Sequence, residues 1–274
     1  MCVLWFTSMA RPLDLDWATN RLIAALAFAG LCGGALTALI DGAPALEVLL
    51  SGAWLGTTVL FAWATARELD PDGEAAAFVA VLLVVATWFV RGTVNLWALT
   101  MALMLTRMVA RTVGPSAQFG DALAVFAAAG VGSLAEGRWA LAAATALAFG
   151  LDALLPEGRR SRLVFAVLAA AAAVASFSWS HTAELRPPSH GMSVAVVAVL
   201  VAVGVISLPP PISPCDDGRH RLRRSRIQAA NVVALALFVL TSLEATPALP
   251  AVAVGAVLVG TTLGRVLPRA RVTG

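Results

Sequence analysis

The feature that most constrains this chain is a recurring unit: an apolar run about as long as a bilayer core, closed by a proline or a short charged turn. It is clearest from Trp54 to Gly73. There Trp54-Leu55-Gly56-Thr57-Thr58 leads through Phe61 and Trp63 to Ala66-Arg67-Glu68-Leu69-Asp70-Pro71. The stretch Val259-Gly260-Thr261-Thr262-Leu263-Gly264-Arg265-Val266-Leu267-Pro268 repeats it, and looser copies end at Gly114-Pro115, Leu155-Pro156 and Leu208-Pro209. Proline lacks the donor that a further helical turn needs and drives the preceding residue out of the helical region. In hydrocarbon every backbone group must be satisfied internally, which leaves helices or a closed barrel. Runs such as 75–90 are continuously apolar rather than alternating, so they read as helices. The sequence therefore predicts an all-α fold, a polytopic transmembrane helical bundle.

Charged residues make up 13% of the chain, about half the share of a soluble domain. Ten spans are expected, near 17–40, 46–67, 75–90, 96–113, 119–134, 139–155, 162–179, 192–208, 227–243 and 249–267. Several approach the lower length limit for a crossing. The organisation that follows is an N-terminal segment (1–16), an eight-helix region (17–208), a Pro/Arg-rich linker (209–226), and a C-terminal hairpin with a basic tail (227–274). The first sixteen residues lack the basic lead and the length of a signal peptide, and Met9 offers an alternative start.

Alternating the spans from the N-terminus places Arg11, Arg21, Arg67, Arg107, Arg111, Arg159, Arg160, Arg162, the linker arginines, Arg265, Arg269 and Arg271 on one side. The other side receives Arg91, Arg138 and Arg186. By the positive-inside rule both termini are cytoplasmic, in a cell membrane, with five hairpins turning on the far side. Trp88, Trp97, Trp139 and Trp179 fall near the far ends, as an interfacial belt would, with ordinary core packing the alternative for each. The first and last hairpins echo each other: Ala35-Leu36-Thr37-Ala38-Leu39 matches Val239-Leu240-Thr241-Ser242-Leu243, and Gly-Thr-Thr recurs. Either an internal hairpin repeat or a small apolar alphabet accounts for this.

All basic side chains besides histidine are arginine, since no lysine occurs; genome composition accounts for that. The basic excess lies between apolar runs, so orientation explains it without nucleic acid. The partner implied is the bilayer, with anionic lipid head groups at Arg219, Arg221, Arg223, Arg224 and Arg226. Cys2, Cys32 and Cys215 have no metal-type spacing. His181, Glu184 and His190 share a loop whose spacing matches no ligand set, and no metal or cofactor is expected.

Polar residues inside spans are the functional candidates. Asp121 and Asp152 fall at similar depth in one hairpin, and two close carboxylates can share a proton as a catalytic dyad. Phe119-Gly120-Asp121 resembles the Gly-x-Gly-Asp of intramembrane aspartyl proteases, with Gln118 where that family has its first glycine. The plainer expectation is helix-end carboxylates paired with Arg107, Arg111 or the arginines at 159–162. Thr57, Thr58, Thr261 and Thr262 are candidates for a substrate pathway, because a locally unwound Gly-Thr-Thr offers hydroxyls to a solute; the alternative is bonding to their own helix carbonyls. Arg107 lies more than a turn inside its span and either joins that pathway or snorkels to the surface. In span count and length the chain is similar to the drug/metabolite transporter superfamily, although the five-helix halves of that family are not evident here. Two function classes follow: a small-solute or lipid carrier, permease-like, or a membrane enzyme or assembly subunit working around Asp121 and Asp152. Absence of lysine excludes a retinal Schiff base.

Overall fold

A computed structural model of the 274-residue chain describes Thr7, Met9 and residues 13–136, 138–179, 191–216, 220–244 and 249–266. These residues are helical, with no strand among them beyond one isolated bridge between Pro214 and Arg221. Ten helices follow in order: α1 (Ala18–Ile40), α2 (Ala45–Leu69), α3 (Glu74–Arg91), α4 (Leu96–Ala110), α5 (Phe119–Glu136), α6 (Trp139–Leu154), α7 (Arg162–Trp179), α8 (Gly191–Ile206), α9 (Arg224–Ser242) and α10 (Leu249–Gly264). Five of them, α1, α2, α3, α7 and α9, are long and apolar enough to cross a membrane, while the described parts of α4, α5, α6, α8 and α10 are shorter apolar helices.

The ends obey local chemistry. Asn95 caps α4 by accepting the Ala98 N–H at 2.7 Å. Helix α2 continues to Leu69 because the proline restriction begins only at Asp70, the residue before Pro71. Helix α4 stops at Ala110, earlier than the apolar pattern suggests, because Arg111 turns left-handed (φ 55°, ψ 41°) and donates its N–H to the Arg107 carbonyl. Helix α9 begins at Arg224, so the last three linker residues are already helical.

Helix α4 lies at the centre, touching α2, α5, α6, α9 and α10, and α9 is buried beside it. Helix α1 packs on α2 and otherwise exposes Leu22, Phe28, Leu36 and Leu39. That contact is built from glycines one turn apart on both helices. A methyl on Gly34 would stand 2.5 Å from the Ser51 carbonyl oxygen, and one on Gly52 would stand 2.6 Å from that of Leu31. Small residues let helices in lipid approach this closely.

Some helices pack on their chain neighbours and others do not. Helices α1 and α2, α5 and α6, and α9 and α10 pack as chain order suggests. Helix α3 packs instead on α10 and α2, and α7 on α6 and α5. The cause for α3 is steric: Gly260 and Gly264 of α10 lie directly on Ala80 and Ala76, with no room for a Cβ at either glycine. The first and last hairpins therefore use their glycines differently, since Gly34 of α1 and Gly52 of α2 face the opposite helix of their own pair, while Gly260 and Gly264 of α10 face α3. Of the four expected belt tryptophans, Trp179 is exposed whereas Trp88 is buried in the core.

Candidate functional site

Helices α2, α4, α6, α8 and α10 all end at one pole of the bundle, and so does nearly every buried charge. Glu68, in the last turn of α2, is fully buried. Its Oε1 accepts from Arg107 Nε at 2.8 Å, and its Oε2 accepts from the Thr112 hydroxyl. Arg107 also donates to the Met9 carbonyl at 3.0 Å. A carboxylate taken from water needs such partners, because burying it alone is very costly.

A second centre surrounds Asp152, near the end of α6 and 1% exposed. Its Oδ1 accepts from Arg111 Nη2 at 2.7 Å, Arg111 Nε at 3.1 Å and Arg226 Nη1 at 3.0 Å. The same arginines reach carbonyls at the end of α4 and in the turn after α6. Arg111 donates to Glu157 O at 2.9 Å, while Arg226 donates to Val109 O at 3.0 Å and Pro156 O at 2.7 Å. The last carbonyls of a helix have no partner within it, and cations complement that end of the dipole.

A third centre joins α2, α9 and α10. Arg265 contacts Asp70 Oδ2 at 3.4 Å and donates to Leu69 O and Asn231 Oδ1, each at 3.0 Å. Asn231 in turn donates to Leu69 O at 2.9 Å. Asp121, at the start of α5, accepts the Gln118 N–H at 2.9 Å and the Thr7 hydroxyl. Buried Arg162 holds the carbonyls of Ala117 and Gln118 just before it. Arg162 and Arg226 each keep a buried Nε with no hydrogen-bond partner among the described residues.

The linker folds back over this pole. Asp72 accepts from Ile212 N at 2.8 Å and Ser213 N at 3.0 Å. Asp216 N donates to Thr112 O at 3.0 Å, and the buried Cys215 thiol lies 3.6 Å from Arg111 O.

The residues singled out from sequence are placed as follows. Asp121 and Asp152 are both buried at this pole, but each is held by different donors. Arg107 turns inward to Glu68, with its side chain 14% exposed. Thr261 and Thr262 bond to Val257 O and Leu258 O, each at 2.8 Å, the back-bonded alternative. Thr58 is fully buried with no hydrogen-bond partner for its hydroxyl among the described residues, and Thr57 is half-buried. Among the linker arginines, Arg221, Arg223 and Arg224 are exposed, Arg226 is buried on Asp152, and Arg219 lies outside the described residues. His181, Glu184 and His190 also lie outside them. Among the described residues no three metal-ligating side chains cluster.

Sequence reasoning missed Glu68 and Asp70, read as parts of a charged loop. The available signal was their place just before Pro71, level with Arg107 and Arg111 at the end of another helix. Comparison with known families, curated proteins and solved structures yields no match: no family model, no curated protein and no solved structure.

Proposed function

We propose that this chain is a ten-span integral membrane protein with both termini cytoplasmic, and that it works as a carrier for a small solute or lipid, closed on its cytoplasmic side by the ion-pair network. The observation that carries the reading is the concentration of buried, mutually paired charges at a single pole, joining α2, α4, α6, α9 and α10. Buried ion pairs add little net stability compared with apolar packing of the same volume. They are well suited to a contact that must open, because water entering the gap re-solvates the separated ions. Ionisable groups within a membrane bundle mark pathways by default. Exposed Arg159, Arg160, Arg221, Arg223 and Arg224 at the same pole fit the anionic head groups of that leaflet.

One observation favours the other class, an assembly subunit with a fixed cytoplasmic surface: Arg111, Arg162 and Arg226 also tie down backbone carbonyls. Spin labels separate the two. With Glu74→Cys and Ser161→Cys labelled in a background lacking Cys2, Cys32 and Cys215, a carrier gives two distance populations whose ratio shifts in Arg107→Gln. A single narrow distance, unchanged by that substitution, overturns the carrier in favour of the subunit. Reporter fusions at the termini and at Pro187 test the topology, and same-side labelling rejects the span order.

A further inference from the structure

Helices α3 and α10 touch at one end and part at the other. Near the charged pole Gly264 lies on Ala76 and Gly260 on Ala80, leaving no gap. Toward the opposite pole the facing residues include Ala86 on α3 and Val252 and Ala256 on α10, too small to fill the space between the separating axes. The result is a lateral groove of about 380 Å³. Leu83 and Val90 form its α3 wall, so it runs some two turns along that helix, about 10 Å at the helical rise. Its lining is apolar except at the mouth. The hydroxyl of Thr87, the one uncharged polar side chain there, is bonded to its own helix at Leu83 O, 2.8 Å away. At the mouth stands Arg91, the last residue of α3, exposed and without a hydrogen bond or ion pair to any described residue.

We propose that this groove binds one acyl chain of an anionic phospholipid, with the head group on the Arg91 guanidinium. This inference rests on the membrane reading above and names the ligand class for a carrier. An unfilled apolar groove loses dispersion contacts along its whole wall, and apolar cavities do not hold water. A hydrocarbon chain supplies those contacts, and the bilayer supplies the chain. The charge at the mouth selects the head group, since a guanidinium forms short, charge-assisted pairs with a phosphate. A zwitterionic head group offers the same phosphate beside a competing cation.

The test is native mass spectrometry of the purified chain with dioleoylphosphatidylglycerol or dioleoylphosphatidylcholine. The wild type should retain one phosphatidylglycerol about tenfold more tightly than phosphatidylcholine, the size expected for one charge-assisted hydrogen bond. Arg91→Gln should lose that preference and keep the chain, whereas Ala86→Phe with Ala256→Phe should lose both lipids. Preference surviving in Arg91→Gln, or full binding by the filled variant, overturns the site. Because the filled variant could misfold, a phosphatidylglycerol with a photoreactive acyl chain is also cross-linked to the wild type. Adducts within 83–91 and 252–259 support the site, and adducts confined elsewhere refute it. Failure of the carrier reading shows as a single spin-label distance with lipid still bound, while failure of the site leaves the two distances intact.

Discussion

Replacing Asp152 with asparagine removes one charge and almost no volume, so it isolates what the carboxylate does. In the wild type its Oδ1 neutralises two guanidiniums, with Arg111 Nη2 at 2.7 Å and Arg226 Nη1 at 3.0 Å. The three side chains are 1%, 7% and 3% exposed, so solvent screens them little. In Asp152→Asn the amide oxygen can still accept a hydrogen bond, but two like charges remain buried together without a counter-ion. Removing one partner of a buried pair costs about 3–5 kcal/mol, and here two cations are orphaned, so the upper part of that range is expected. Glu157→Gln is the control. Its pair with Arg223 is about half exposed on both sides, and exposed pairs contribute about 0–1 kcal/mol. Unfolding in mixed micelles by SDS titration, followed by circular dichroism, reads both variants on one scale. If Asp152→Asn costs no more than Glu157→Gln, the buried network is not held by charge and its role as a latch is refuted.

Neighbouring glycines in α1 should respond oppositely to alanine. Gly33 has nothing within 4 Å of an added Cβ, so Gly33→Ala should stabilise by about 0.5–1 kcal/mol, whereas Gly34→Ala, crowding the Ser51 carbonyl, should destabilise by about 1–3 kcal/mol; the same titration checks both, and equal effects would refute the close α1–α2 contact. Asp72→Ala should release the linker, since Asp72 holds the N–H groups of Ile212 and Ser213. In a background without Cys2 and Cys32, buried Cys215 should then react at least about tenfold faster with a water-soluble maleimide, since even one of the two charge-assisted hydrogen bonds lost implies that much; an unchanged rate would refute the anchoring.

The ten helices were legible because their signal is local. Each apolar run and its stop lie within one segment, and observed ends differ from the expected ones by a few residues. Arg111 shows the limit, since a non-glycine residue turns left-handed there with its guanidinium on Asp152, a partner forty-one positions away. Neighbour choice was not legible for the same reason. Nothing in chain order says that Ala76 and Ala80 meet Gly264 and Gly260, although the four-residue spacing of both pairs is in the sequence. Acidic and basic candidates were visible at the same pole, and the expected pairing with Arg111 is met at Asp152, but Arg226 as its second partner and Glu68 as the partner of Arg107 were not legible. Asp121 and Asp152 look equivalent as text, yet one faces Thr7 and the Gln118 amide, and the other faces two arginines.

Absence of lysine reads from the sequence as a composition effect, but at Arg226 the geometry gives arginine a specific task. One guanidinium meets three acceptors on two helices and the α6–α7 turn: Val109 O and Asp152 Oδ1 through Nη1, and Pro156 O through Nη2. A planar fork spreads its donors widely enough for this, whereas an ammonium is a single compact point. Arg226→Lys keeps the charge beside Asp152, so a purely Coulombic role predicts almost no change. If the carbonyl contacts matter, lysine leaves at least one buried acceptor unmet, at about 1–3 kcal/mol. Arg223→Lys, at an exposed site, should stay within about 0.5 kcal/mol, as surface substitutions usually do. The SDS titration decides between them. Equal stability of Arg226→Lys and the wild type would return this arginine to composition alone. A loss confined to Arg226→Lys would mean that the charged pole joins α4, α6 and α9 through directional bonds, so that any opening there must break the carbonyl contacts together with the ion pair.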